Sequence, residues 1–265
     1  MHALPQSTTS GSSAVRSGVA VRRRLPRWLR LALRVALLLL AAVHLVLLLA
    51  VCVGSLVYRT RAPHRTAFMI CRSITDGPQS PPQFVPLAEM PALLVRGALY
   101  LEDYHFFEHH GVRLESIRYA IRLNRRLGYR AYGGSTITQQ LARTLYLLPH
   151  RSYARKYLEL IAAVQMELLM GKERILELYL NLVEWGPGVW GAQSGALWHF
   201  GRTLGELSPG EICSLLTILP SPRTATPENI GDSEVLTLRH QAVSRYLQGL
   251  LEGPPLLRSE LRRVR

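Results

Sequence analysis

The hydrophobic pattern of the chain changes near residue 60. From Val35 to Tyr58 the run VALLLLAAVHLVLLLAVCVGSLVY contains no charged residue. At 1.5 Å per residue its 24 positions make about 36 Å of helix, enough to cross a hydrocarbon core of roughly 30 Å. A core helix of a globular protein is seldom apolar all the way round over this length, so the run is predicted to be a transmembrane helix. His44 is its one notable polar side chain; it either faces lipid or a neighbour, or carries a proton. Beyond residue 60 apolar positions recur every three to four residues over 91–104, 112–127, 135–148, 152–170 and 172–183, which predicts helices. Ser208-Pro209-Gly210-Glu211 reads as a capping box with proline at the first helical position, and that helix should stop before Pro220. Residues 76–87 contain four prolines and read as an extended strap. No stretch alternates with period two. The predicted fold is therefore all-α, organised as a basic tail (1–34), the span (35–58), a linker (59–84), one helical domain (85–250) and a C-terminal tail (251–265).

Charge gives the span a direction. The net charge is +14, but residues 1–75 hold eleven arginines and no acid, so most of the excess precedes the helical domain. That distribution argues against nucleic acid as a partner. Seven arginines precede the span and four follow it closely (Arg59, Arg61, Arg65, Arg72). This bias predicts a cytoplasmic N-terminus, with residues 59–265 on the other side of the membrane. A cleaved signal peptide would have a shorter apolar region, about 7–15 residues, so an uncleaved anchor is expected. Three cysteines (Cys52, Cys71, Cys213) without a C-x-x-C spacing exclude a disulfide scaffold and a cysteine zinc site.

Three strings carry candidate chemistry. In EDYHFFEHHG the adjacent acids Glu102 and Asp103 precede aromatic rings and His109. A carboxylate beside apolar rings loses solvation and gains basicity, which suits a general base; a solvated helix face explains the same residues. Gly133 to Gln140 is a turn feeding a helix, where free N–H groups and the hydroxyls of Ser135 and Thr136 suit an anion, although a plain N-cap turn reads equally well. Between Arg113 and Lys156 ten basic residues accompany one acid, Glu115. Arg143, Arg151, Arg155 and Lys156 in this stretch suit a diphosphate or anionic headgroups. Only Lys156 and Lys172 are lysines, against thirty arginines, a weak sign that a compact ammonium is wanted at both positions. Glu159 falls three residues after Lys156 and four after Arg155, either as a surface pair or as a second carboxylate held by two cations. Two acids on separate segments plus phosphate-binding groups point to transfer at a glycosidic or phosphoryl centre.

Together these strings resemble the glycosyltransferase domain of bacterial cell-wall synthases. E-D-x-x-F-x-x-H-x-G is met from Glu102 to Gly111, G-x-S-T-x-T-Q-Q from Gly133 to Gln140, R-K-x-x-E from Arg155 to Glu159, and K-x-x-I-L-E-x-Y-L-N from Lys172 to Asn181. A fifth, looser pattern is half met at Arg239 and Val243, where Ser244 replaces a leucine. Twenty residues follow Arg245, so no transpeptidase domain is expected. The segment from Asn181 to Gly201 is similar to the monofunctional biosynthetic peptidoglycan transglycosylases. The resemblance implies a lysozyme-like helical fold with a small membrane-facing jaw between the first two motifs, where Ile117, Ile121 and Leu127 would reach the lipid interface.

The resemblance also implies a reaction: polymerisation of lipid II into β-1,4 glycan strands, with inversion and release of undecaprenyl diphosphate. Glu102 would be the general base. Glu159 would be the second catalytic acid, orienting cations. Asp103, Ser135, Thr136, Gln139, Gln140, Arg143, Arg151, Arg155 and Lys156 would bind substrate. Arg143 stands where the family usually has lysine. A divalent cation (Mg or Mn) at Glu102 or Glu159 is a candidate cofactor, and no organic cofactor is expected. Expected partners are lipid II, the growing glycan chain, membrane lipids, and transpeptidase or division proteins, at the bacterial inner membrane with the catalytic domain periplasmic. A lytic glycosidase of related fold and an inactive scaffold of wall synthesis are the competing readings.

Overall fold

A computed structural model describes residues 26–128, 133–150 and 152–252. The chain divides into two compact units, 1–43 and 44–265. In the first, the described residues are Pro26 and the opening half of α1 (Arg27–Tyr58), a helix whose most apolar 18-residue stretch has mean hydropathy 3.0 and whose side chains in this unit are mostly exposed. It is the one helix among the described residues long and apolar enough to cross a membrane. It begins eight residues before the predicted span, because Arg27, Arg30 and Arg34 are good helix formers that extend the helix without belonging to its apolar run.

The second unit is helical, as the apolar periodicity predicts. Along the chain come α2 (Ala67–Thr75), α3 (Ala92–Glu102), α4 (Leu114–Leu127), α5 (Ile137–Tyr146), α6 (Tyr153–Leu169), α7 (Lys172–Leu182), α8 (Ala192–Phe200), α9 (Pro209–Ile218) and α10 (Glu234–Glu252). The predicted box at Ser208 is present: Glu211 N–H donates to the Ser208 hydroxyl and Ser208 N–H to the Glu211 carboxylate, and α9 ends two residues before Pro220. Two features depart from the sequence reading. The stretch 59–84 is not all linker, since α2 lies in it, capped by Thr66 and packed on α5. A two-stranded ribbon, β1 (Glu184–Gly186) with β2 (Val189–Trp190), turns at Pro187-Gly188. Strands of three and two residues are too short to show an alternation.

α5 sits against α2, α6 and α7, while α3, α9 and α10 pack against one another. Leu94, Ile137, Leu141, Met166, Ile175, Leu178 and Trp185 are fully buried. Each buried aliphatic side chain contributes roughly 1.5–3 kcal/mol. α4 ends at Gly128, whose φ of +77° is the left-handed conformation that closes a helix at little steric cost. Of the three side chains expected at a lipid interface, Ile121 and Leu127 are exposed. Ile117 is half-buried, with the Gly134 backbone lying over its own. His44 has a neighbour: its Nε2 lies 3.3 Å from the Tyr157 hydroxyl. All three cysteines are free thiols.

Candidate active site

The end of α3 delivers the two adjacent acids to different tasks. Glu102 closes the helix, and one of its oxygens accepts from Gln140 Nε2 at 2.9 Å. The other accepts from the Arg239 guanidinium of α10 at 2.5 Å. The apolar setting expected from the aromatic string is therefore not what surrounds this carboxylate. Phe106 turns into the core instead, and Tyr104 and Phe107 turn to solvent. The Gln140 amide is oriented from its far side by the Tyr179 hydroxyl, which donates to Oε1 at 3.3 Å. Burial, reinforced by the Glu102 charge, pushes the Tyr179 phenol well above its ordinary range, so it stays protonated as that donor.

Asp103 is buried and faces inward. Its carboxylate accepts the first N–H of α5, from Ile137 at 3.0 Å, and lies 2.9 Å from His109 Nε2. A carboxylate at a helix N-terminus completes one of the free N–H groups and complements the helix dipole. His109 Nδ1 in turn accepts from Gly111 N–H. Gly111 has a φ of +89°, and a Cβ there would lie 2.8 Å from the Ala163 carbonyl oxygen of α6. The first motif is thus a tie between α3, α5 and α6.

Thr136 and Gln139 belong to the same tie. The Thr136 hydroxyl accepts from Gln139 N–H, the Gln139 side chain accepts from Thr136 N–H, and the Thr136 hydroxyl donates to the Gly111 carbonyl at 2.6 Å. Both residues are buried. Asp103, Thr136 and Gln139 were expected among the substrate contacts. In the structure the Asp103 carboxylate, the Thr136 hydroxyl and the Gln139 carbonyl oxygen are bonded within the protein and set where α5 begins, while Gln139 Nε2 is buried without a partner among the described atoms.

The second acid, Glu159, is also buried. One oxygen accepts from Arg155 at 2.7 Å and the other from Lys156 Nζ at 2.5 Å. Lys156 reaches further, donating to the Ser135 hydroxyl at 2.8 Å. Second and fourth motifs meet through Glu167, which accepts from Thr138 and from Lys172. Lys172 also sits 4.3 Å above the Phe106 ring. Of the two lysines, Lys156 belongs to the site and Lys172 to its support. Arg143 is half-buried on α5, close enough to Tyr179 to favour its ionised form, and its Nε has no partner among the described atoms. Arg151 lies outside the described residues.

The sequence left one member without a role: Arg239, the partner of Glu102. The half-met fifth pattern was its signal, and the contact spans 137 positions of chain. A resident divalent cation does not fit this donor set. Both acids are already neutralised by arginine or lysine, and no group of three His, Cys, Asp or Glu side chains suited to a metal occurs among the described residues.

The transglycosylase family pattern matches residues 71–248. A biosynthetic peptidoglycan transglycosylase of Rhodopseudomonas palustris (strain HaA2) is 40 % identical over 206 residues, covering 77 % of this chain and 86 % of that protein. One from Azoarcus sp. (strain BH72) is 40 % identical over 204 residues, covering 74 % and 86 %. One from Alcanivorax borkumensis (strain ATCC 700651 / DSM 11573 / NCIMB 13689 / SK2) is 45 % identical over 129 residues, covering 49 % and 53 %. With the acids, the Gln140 bridge and the cation cluster all in the matched span, the chain belongs to the transglycosylase family.

Proposed function

We propose that this chain is a peptidoglycan glycosyltransferase that polymerises lipid II into β-1,4 glycan strands, releasing undecaprenyl diphosphate. The observation that carries the reading is the double use of one short segment. Ser135, just before α5, touches the Lys156–Glu159–Arg155 cluster, and Gln140, five residues later, touches Glu102. A base and a set of phosphate-binding cations are thereby held at a fixed separation, as transfer from a glycosyl diphosphate requires.

Glu102 removes the proton from the 4-hydroxyl of the acceptor sugar as that oxygen attacks the anomeric carbon of the growing chain. A carboxylate has about four lone-pair sites, and two are taken by Gln140 and Arg239, so acceptor capacity remains for the hydroxyl. The diphosphate departs from the opposite face of the ring, which inverts an α linkage to β. Arg143, Arg155 and Lys156 stabilise the charge that develops on the leaving diphosphate, and Arg151 adds to them by sequence position. Glu159 fixes Arg155 and Lys156, and Ser135 and Gln140 line the same approach. A divalent ion entering with the diphosphate would take its ligands from phosphate and water.

A glycosidase acting on neutral glycan has no use for the half-buried cations Arg155 and Lys156, which disfavours a lytic activity. The apolar helix α1, the one among the described residues long enough to cross a membrane, suits an anchor, and the arginine bias supports a cytoplasmic N-terminus with the catalytic unit across the inner membrane, beside its lipid substrate. Membrane lipids, and transpeptidases or division proteins that act on the same strands, are the partners this placement favours. Purified full-length protein incubated with lipid II, with and without chelator, tests the reading: polymer of high mass supports it, and unchanged lipid II rejects it.

A further inference from the structure

The outer half of α1 is built into the catalytic unit. Val51 and Ser55 are fully buried, and Gln165 of α6 donates to the Leu48 carbonyl at 2.7 Å. The last carbonyl of the helix, on Tyr58, is capped by Arg174 Nε of α7 at 2.8 Å, so the free end of α1 is tied down. Between these ties the helix meets the C-terminal end of α5. A Cβ on Gly54 would lie 2.7 Å from both Cε1 and the hydroxyl oxygen of Tyr146, closer than real contacts allow. The ring of Tyr58 stacks on that of Tyr146 with centroids 6.4 Å apart, and the Tyr146 hydroxyl lies 3.5 Å from that of Ser55. Burial pushes the Tyr146 phenol up to about 12, so it remains neutral where it packs. Tyr146 therefore occupies a notch that only the missing side chain of Gly54 leaves open.

Tyr146 lies three residues after Arg143 and six after Gln140 on α5. At its other end that helix is held by Asp103 and the Thr136–Gln139 box. We propose that Gly54 and Tyr146 are positioning residues: the outer end of the membrane anchor braces α5 and thereby sets the placement of Arg143 and Gln140. The anchor then serves the reaction directly, beyond tethering the enzyme to its substrate's membrane. This inference rests on the reading of Arg143 and Gln140 as groups of the active site. The brace itself is a matter of packing and is measurable apart from activity.

The test uses full-length protein in detergent micelles. Gly54→Leu improves helix propensity, so any loss it causes comes from the collision with Tyr146. Hydrogen exchange of the amides of residues 141–146 should accelerate by about ten-fold or more in Gly54→Leu. Lipid II polymerisation should fall by about ten-fold, with the defect mostly in KM for the donor. Tyr146→Ala should accelerate the same amides. The double variant should be no worse than Tyr146→Ala alone, because the second change removes the atoms with which the first collides. Val53→Leu, at an exposed neighbouring position, should leave both readouts at parental values. Parental exchange rates in α5 of Gly54→Leu, or single effects that simply multiply in the double variant, would overturn the brace. Arg143→Ala, assayed alongside, reports separately on whether α5 carries donor contacts at all.

Discussion

The two acids of the site are held in opposite ways. Glu159 takes both partners, Arg155 and Lys156, from its own helix at three and four residues' distance, and its side chain is 2 % exposed. Glu102 takes its partners from two other helices, 38 and 137 residues away in sequence, and is 11 % exposed. Each oxygen of Glu159 is engaged by a full positive charge. One oxygen of Glu102 faces a neutral amide and keeps room for a further donor. A buried ion cluster adds little net stability. The use of the Glu159 cluster lies in fixing two cations and, through Lys156, Ser135. The difference teaches that electrostatic support can be local, whereas the acid proposed to meet the acceptor hydroxyl is positioned by the tertiary structure.

The largest effect should follow from removing the base. Glu102→Gln should lower lipid II polymerisation by at least about 10²-fold, the usual scale for loss of a general base, with a thermal transition close to the parent's. Turnover near the parental rate in a polymerisation assay would remove Glu102 from the chemistry. Next is Arg143, the departure from the family's lysine. Arg143→Ala should cost roughly ten- to two-hundred-fold, the equivalent of a charge-assisted hydrogen bond of about 1.5–3 kcal/mol, while Arg143→Lys should keep most activity. Equal activity in both variants would leave the diphosphate to Arg155, Lys156 and Arg151.

The same contrast explains what was legible in the sequence. Spacing of three and four on a helix brings side chains together whatever the fold, so the Arg155–Lys156–Glu159 cluster could be read directly. So could α3 to α7 and α9, whose apolar faces and the Ser208 cap are local signals. The pairing of Arg239 with Glu102 depends on how α10 crosses α3, which no local pattern encodes. The inward turn of Asp103, Thr136 and Gln139 was hidden for a related reason. Polar residues in a motif look alike whether they bind substrate or a helix N-terminus, and only burial separates the two. The ribbon at Glu184–Trp190 and the short α2 fell below the length at which periodicity can be counted.

Smaller effects sharpen the division between building and acting. Asp103→Ala strips the acceptor from the start of α5 and should destabilise the fold by about 1.5–3 kcal/mol in denaturant unfolding. Unchanged stability would contradict its building role. Glu184 supplies a pH signature away from the site. Burial raises its pKa above the ordinary 4.5, against the pull of a Gly188 N–H and two arginines. The folded state therefore binds the proton more tightly than the unfolded one, and stability should fall as pH rises from 4.5 through the raised value. Glu184→Gln should remove that fall; an identical pH profile in the variant would assign it elsewhere. Finally, magnesium or manganese added to substrate-free protein should leave the thermal transition where it is, since each acid already has an arginine or lysine against it. A clear upward shift would reveal a resident metal site.

The division of labour between the two acids is tested most directly by binding. Affinity for a phosphoglycolipid that occupies the donor site is measured for Glu102→Gln and Glu159→Gln beside their polymerisation rates. Glu102→Gln should bind like the parent while its turnover collapses, and Glu159→Gln should bind at least about ten-fold more weakly because Arg155 and Lys156 lose their anchor. If Glu102→Gln loses binding in step with turnover, or Glu159→Gln binds like the parent, the assignment of chemistry to one acid and donor placement to the other is contradicted.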